Sequence, residues 1–214
     1  MKYELLIFDM DGTILDTLED LKNSMNHTLR LHNMPERTLD EIRSFVGNGI
    51  RRLIEQAVVE GTSEEKINVI HKDFMEHYEV HCADFTRPYD GVNDLITKLR
   101  NRGYKTAVVS NKADAAVQDL CVQYFPHLFD LAIGETPNVA RKPAPDMVNL
   151  ALEHFKIPRE KSVYIGDSDV DVATARNSKL DMIAVDWGFR SRDCLIEQGA
   201  KIIVSTPEEI LEYV

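Results

Sequence analysis

The fold turns on one stretch near the start of the chain: Leu5-Leu6-Ile7-Phe8-Asp9-Met10-Asp11-Gly12-Thr13. An apolar run ends in two aspartates two residues apart, then a glycine and a threonine. Without polar alternation, the run predicts a strand buried on both faces, as in a parallel sheet. The carboxylates then stand at the C-terminal edge of that sheet, where open α/β sheets hold their ligands. A bend between Asp9 and Gly12 frees both carboxylates from strict strand alternation. Two acids on one small site repel, and a hard divalent cation is the usual remedy. A polar turn capping a strand reads equally well from these residues alone, since Asp-Gly is a common turn pair.

Three later segments shift the balance. Lys105-Thr106-Ala107-Val108-Val109-Ser110-Asn111-Lys112 is a second apolar strand, ending in a hydroxyl and an amide. Arg141-Lys142-Pro143-Ala144-Pro145-Asp146 sets a lysine in a proline-stiffened loop before a helix. Ser162-Val163-Tyr164-Ile165-Gly166-Asp167-Ser168-Asp169-Val170-Asp171 is a third strand, ending in more aspartates. Each polar group is ordinary by itself. In this order, the four motifs resemble the haloacid dehalogenase superfamily of aspartate-nucleophile phosphohydrolases, and the resemblance runs over the whole chain.

The bulk composition narrows the function. The chain has 214 residues, 43% of them hydrophobic, enough for one good-sized domain or a core with an inserted smaller one. Its net charge is -11, from 25 basic and 36 acidic residues, which argues against a nucleic-acid partner. The three cysteines, Cys82, Cys121 and Cys194, are far apart and show no zinc or disulfide spacing, so a cytoplasmic location is expected. The N-terminus enters a strand with no secretion signal, and no apolar run is long enough for a membrane span.

From about Asp16 to Asp84 the periodicity is helical throughout. Leu18, Leu21, Met25 and Leu29 share a face; Asn33-Met34-Pro35, Gly47-Asn48-Gly49 and Gly61-Thr62-Ser63 break the run. After Pro88 strands and helices alternate, as a parallel sheet covered on both faces requires. Strands are expected at 104–109, 131–133, 162–165, 182–185 and 201–204. Helices are expected at 90–102, 114–123, 146–155, 170–177, 193–198 and 207–213. The fold class is α/β: a Rossmann-like, doubly wound parallel sheet core formed by residues 1–15 and 85–214. The helical block 16–84 is inserted, and superfamily relatives carry an α-helical cap domain at this point.

The resemblance implies specific chemistry. Asp9 would be the nucleophile, forming an aspartyl-phosphate, and covalent catalysis would divide a very slow hydrolysis into two steps. Asp11 would protonate the leaving alkoxide and then activate water; dehalogenases of the superfamily lack this acid in that role. Mg²⁺ is the implied cofactor, with Asp9, Asp11 (through its carbonyl), Asp167 and Asp171 as the metal group. Asp171 would hold a metal-bound water or orient Lys142. Lys142 would balance nucleophile and phosphate, while Ser110, Asn111 and Thr13 would bind phosphate or tighten the loop.

Weaker signals remain. Gly47-Asn48-Gly49 is not a dinucleotide fingerprint; it resembles a loop of phosphoglycolate phosphatases that faces the substrate, with Arg51 and Arg52 nearby. His77 and His81 lack a third metal ligand and read as a solvated helix face. Asp169 reads as a helix-start charge, and Trp187-Gly188 as a structural loop or a substrate contact. Lys179 stands where relatives usually have glycine, which puts that helix end in doubt.

The function read from this set is a Mg²⁺-dependent phosphatase for a small phosphorylated metabolite, most similar to phosphoglycolate phosphatases. A pyrophosphatase, a nucleotide or sugar-phosphate phosphatase, and a mutase remain open. From other classes, a non-catalytic phospho-aspartate signalling module is disfavoured by Asp11 together with the helical insert, and an inactive regulatory protein by the intact set Asp9, Asp11, Ser110, Lys142 and Asp167. The oligomeric state, monomer or homodimer, is left open.

Overall fold

The structure, a computed structural model, describes residues 2–214. The described residues form two compact units, one of residues 2–15 and 88–214, the other of Asp16–Arg87.

The first unit is built on a six-stranded sheet. In chain order its strands are β1 (Leu5–Phe8), β4 (Lys105–Ala113), β5 (Leu131–Glu135), β6 (Ser162–Gly166), β7 (Asp181–Val185) and β8 (Ile203–Val204). The short β2 (Leu15–Asp16) and β3 (Arg87–Pro88) make a separate two-stranded sheet. The large sheet runs β5-β4-β1-β6-β7-β8, with every pairing parallel. All four residues of β1 are buried. Leu5 and Ile7 pack on one face against Met147, Val148 and Ala151 of α7 (Asp146–Phe155) and Ala175 of α8 (Asp169–Ser178). Leu6 and Phe8 point to the opposite face, as strand alternation requires. Three further helices flank this sheet: α5 (Val92–Asn101), α6 (Asp114–Tyr124) and α9 (Arg192–Glu197). This is the α/β, Rossmann-like core expected from the alternating pattern.

Two elements depart from the sequence reading. The second core strand continues four residues beyond Val109 to Ala113, with a register irregularity against β5 over that stretch. A bulge bends the strand and re-aims its side chains; here those side chains are Ser110, Asn111 and Lys112. The last segment, Pro207–Glu212, is a 3-10 helix, not an α-helix. Its short turns have neither the length nor the i→i+4 bonding of an α-helix.

The end of α8 holds without glycine. Lys179 adopts φ 57° and ψ 41°, and its N–H caps the carbonyls of Ala175 and Arg176. The helix therefore keeps its left-handed C-cap, at the steric cost of a Cβ.

The second unit is built on four helices: α1 (Leu18–Leu31), α2 (Leu39–Phe45), α3 (Ile50–Ala57) and α4 (Glu64–His81). A capping box between Thr38 and Glu41 starts α2, and Ser63 caps α4. The buried Asp20 accepts hydrogen bonds from the backbone N–H groups of Phe85 and Thr86, which ties these residues to α1. No helix among the described residues is long and apolar enough to cross a membrane.

Candidate active site

Asp9 extends the β1 ladder by one residue, its N–H donating to the Ile165 carbonyl at 2.9 Å. The chain then turns tightly: the N–H groups of Ile14 and Leu15 both donate to the Met10 carbonyl, each at 3.0 Å. Gly12 takes φ 88°, the left-handed region that glycine adopts without strain. A Cβ there would lie 2.4 Å from Asp167 Oδ2. Glycine is thus needed twice at this position, for the turn and for the approach of Asp167.

One buried lysine organises the acids. Lys142 Nζ lies 2.7 Å from Asp9 Oδ1 and 2.8 Å from Asp171 Oδ1. Tyr164, buried on β6, donates its hydroxyl to Asp171 Oδ1 at 3.1 Å and accepts from Lys142 Nζ at 3.2 Å. The other Asp171 oxygen accepts from the N–H and the hydroxyl of Ser168, within the capping box that starts α8. Asn111 fixes the lysine loop: its amide exchanges two hydrogen bonds with the Lys142 backbone, at 2.8 and 3.1 Å. Asn111 therefore uses its side chain to place Lys142, and Ser110 Oγ accepts the Lys112 N–H at 3.2 Å.

Asp167 is held from two sides. Thr13 Oγ1 donates to one oxygen at 2.8 Å, and the Phe189 N–H donates to the other at 2.7 Å. The Thr13 hydroxyl proton is thus committed to Asp167. Trp187 donates its indole N–H to the Thr13 carbonyl, so the Trp187-Gly188-Phe189 loop supports the site from within the same unit. Asp169, in the first turn of α8, pairs with Arg190 at 2.9 Å. Replacing Gly188 by Ala would put a Cβ 2.3 Å from the Gly12 carbonyl and 2.4 Å from Asp167 Oδ2. Gly188→Ala is expected to displace Asp167 and cut activity at least about tenfold, since misplacing a site by an ångström costs that much or more. Steady-state kinetics at saturating metal checks it; unchanged activity would show that Asp167 can move without loss.

The electrostatics follow from burial. Burial, reinforced by the Asp171 charge, raises the Asp9 carboxyl well above the usual range despite Lys142. The same two causes push Asp167 up to about 7. Burial opposes the charge on Asp171 too, but the Lys142 ammonium and the donors on both oxygens hold its carboxyl low. Asp9, Asp167 and Asp171 offer ligand oxygens within 4.8 Å of one another, the one such cluster found among the described residues. With one lysine among three buried carboxyl groups, Asp9 and Asp167 are held back from ionising, and a bound cation would relieve that repulsion. Bonded to Lys142, Tyr164 and Ser168, Asp171 suits the role of anchor for Lys142.

Three groups at this site escaped the sequence reading. Tyr164 looked like one more strand residue, although a buried tyrosine hydroxyl needs a partner. The Phe189 N–H is a backbone donor with no residue-type signal. Lys112 lies beyond the expected strand 104–109 and carries no signal of its own, yet its Nζ lies 3.2 Å from Asp11 Oδ1.

Gly47, Asn48 and Gly49 belong to the other unit, where they join α2 to α3 with φ 113° at Gly47 and 81° at Gly49. Arg51 pairs with Glu55 and Glu64, and Arg52 with Glu55. His77 stacks between His27 and His81, with ring centroids 4.0 and 4.3 Å away. The rings lie face to face and do not converge their nitrogens on one point.

Acids gathered around a buried lysine, at the exit of a parallel sheet, are the groups that phosphoryl chemistry requires. The chain belongs to the haloacid dehalogenase-like hydrolases, whose family model matches residues 6–185. It is 29% identical over 215 residues to a phosphoglycolate phosphatase of Colwellia psychrerythraea, covering 97% of this chain and 95% of that one. It is 27% identical over 215 residues to an N-acetylmuramic acid 6-phosphate phosphatase of Pseudomonas aeruginosa, covering 99% and 95%. Among solved structures, a phosphoglycolate phosphatase candidate from Lactobacillus delbrueckii subsp. bulgaricus superposes with TM-score 0.95 at 40% identity, covering 100% and 98%. The chain is accordingly a phosphatase-type enzyme of this family, in the group that resembles phosphoglycolate phosphatases.

Proposed function

We propose that this chain is a Mg²⁺-dependent phosphatase that hydrolyses a small phosphate monoester, best matched by 2-phosphoglycolate, through a phosphoryl group carried on Asp9. The observation that carries this reading is the position of Asp9 at the sheet exit, anchored through one oxygen. Oδ1 takes both the Met10 N–H, at 2.6 Å, and Lys142, at 2.7 Å. Oδ2 remains for in-line attack on phosphorus.

In the first step Asp9 Oδ2 bonds to phosphorus as the ester P–O bond breaks, and Asp11 gives its proton to the leaving oxygen. In the second, Asp11 takes a proton from water, which attacks the phosphoryl group and frees Asp9. Lys142 balances the negative charge gathered on nucleophile and phosphoryl group. Ser110 and the backbone amides beside it receive phosphoryl oxygens. Thr13 and the Phe189 N–H keep Asp167 in place. Asp9, the Asp11 carbonyl and Asp167 would hold the cation, which supplies charge neutralisation and orients the phosphoryl oxygens when bound.

These groups treat only the phosphoryl unit that all candidate substrates share. Selection among substrates falls to the helical unit, acting as the cap, and we assign it to the Gly47-Asn48-Gly49 loop. The relatives bear names with different substrates, so N-acetylmuramic acid 6-phosphate, pyrophosphate and sugar phosphates are the rivals. Three free cysteines fit a reducing cytoplasm.

The test is a panel of phosphate esters, including 2-phosphoglycolate, N-acetylmuramic acid 6-phosphate and pyrophosphate, assayed with Mg²⁺, after EDTA, and with Ca²⁺. The expected result is the highest kcat/KM on 2-phosphoglycolate, loss of turnover in EDTA, recovery with Mg²⁺ and poor recovery with Ca²⁺. A different best substrate would replace phosphoglycolate in this reading. Full activity after exhaustive chelation would remove the metal from it.

A further inference from the structure

Lys112 has no part in the reaction as written above, yet it is placed against the residue that handles the proton. Its Nζ lies 3.2 Å from Asp11 Oδ1, and its side chain is only 5% exposed. Burying an ammonium is costly unless it is paired, so the pairing with Asp11 is part of why Lys112 sits there. Among the described residues, this ion pair is the hydrogen bond that the Asp11 carboxylate makes. Asp11 itself is partly open, at 22% of its side chain. A partly exposed aspartate with no anchor would rotate about both its side-chain torsions. A packed lysine on one oxygen removes that freedom and leaves Oδ2 to carry and deliver the proton.

The backbone explains how the lysine reaches this point. Ser110 and Lys112 are two residues apart on β4, in the stretch where the strand's register against β5 is irregular. The Lys112 N–H donates to Ser110 Oγ. The phosphate-side serine and the leaving-group-side acid are thereby tied to one short segment. Asn111, between them, is turned to the Lys142 loop instead.

We propose that Lys112 is a positioning residue for proton transfer: it holds Asp11 Oδ1 so that the other oxygen faces the leaving group as the P–O bond breaks. The proposal rests on the reading of Asp11 as the leaving-group acid. A direct role in binding an anionic part of the substrate is the competing explanation, and it makes a different prediction.

The experiment uses monoesters without a carboxylate, from p-nitrophenyl phosphate, whose leaving group needs little protonation, to ethyl phosphate, whose leaving group needs it fully. Lys112→Met should lower kcat/KM for ethyl phosphate by about 100-fold, the scale of a mispositioned general acid. It should lower that for p-nitrophenyl phosphate by less than about threefold. Lys112→Arg should recover most of the loss, because it keeps a cationic donor on Asp11. Lys112→Gln, with a neutral donor, takes the place of the methionine variant if thermal melting shows that variant to be poorly folded. In an Asp11→Asn background, Lys112→Met should cost nothing more, since residues that act as a unit are not additive. Equal losses along the leaving-group series, or a full loss that persists in the Asp11→Asn background, would overturn the proposal. If Asp11→Asn alone shows no dependence on the leaving group, the reading of Asp11 fails first, and the proposal with it.

Discussion

Asp9→Asn should lower kcat by at least about 10⁴-fold, as removal of a covalent nucleophile does elsewhere. The amide keeps the size of the side chain but lacks the charge that attacks phosphorus. The fold should survive intact. Burial and the Asp171 charge already disfavour an ionised Asp9, so a neutral side chain there relieves repulsion. Lys142 keeps Asp171 as a partner at 2.8 Å. The melting temperature should therefore match or exceed that of the unaltered protein. Activity and melting curves read the two effects separately. Near-normal turnover in a folded variant would remove Asp9 from the reaction.

Lys142→Met should have the largest effect on stability, and it should abolish turnover as well. The ammonium is the shared partner of two buried carboxylates, Asp9 and Asp171. Its burial opposes the charge, yet these two neighbours keep it protonated far above its ordinary range. Taking away one side of a buried ionic group costs about 3–5 kcal/mol, because the opposite charges stay buried and unpaired. Tyr164 would lose the donor to its hydroxyl as well. Urea unfolding measures the loss. Pairing the change with Asp171→Asn should recover part of it, since one of the stranded charges is then gone. A variant as stable as the unaltered chain would mean that the lysine does not balance these carboxylates.

Much of this is legible in the sequence. An unbroken apolar run can be satisfied only inside a sheet covered on both faces, so Leu5 to Phe8 announced the core. The acids after it had to lie at the sheet's exit. The lysine of the Arg141-Lys142-Pro143 loop was identified by its order among the motifs, not by local chemistry. Side-chain partners were less legible. Nothing in a periodic pattern says that Asn111 spends its amide on the Lys142 backbone, or that Thr13 gives its hydroxyl to Asp167; both depend on contacts across long sequence separation. Tyr164 sat unnoticed in an apolar strand because strand periodicity reports a face and not a hydroxyl's partner. Lys112 was masked by position. The sequence reading ended its strand at Val109, and the irregular continuation of β4 is what carries the lysine to Asp11. Lys179 ran the other way: the missing glycine cast doubt on a helix end that forms regardless.

The central claim is that phosphorus passes through Asp9. Its most direct test is to trap the intermediate. The Asp11→Asn variant, slowed in the step that releases phosphate, is mixed with p-nitrophenyl phosphate and Mg²⁺ and quenched in acid within one turnover. Peptide mass spectrometry then locates any phosphoryl group. The account predicts one phosphoryl group on the peptide that carries Asp9, absent when Asp9 is also changed to Asn. Release of p-nitrophenol in that single turnover, with no phosphoryl group found on Asp9, would contradict it.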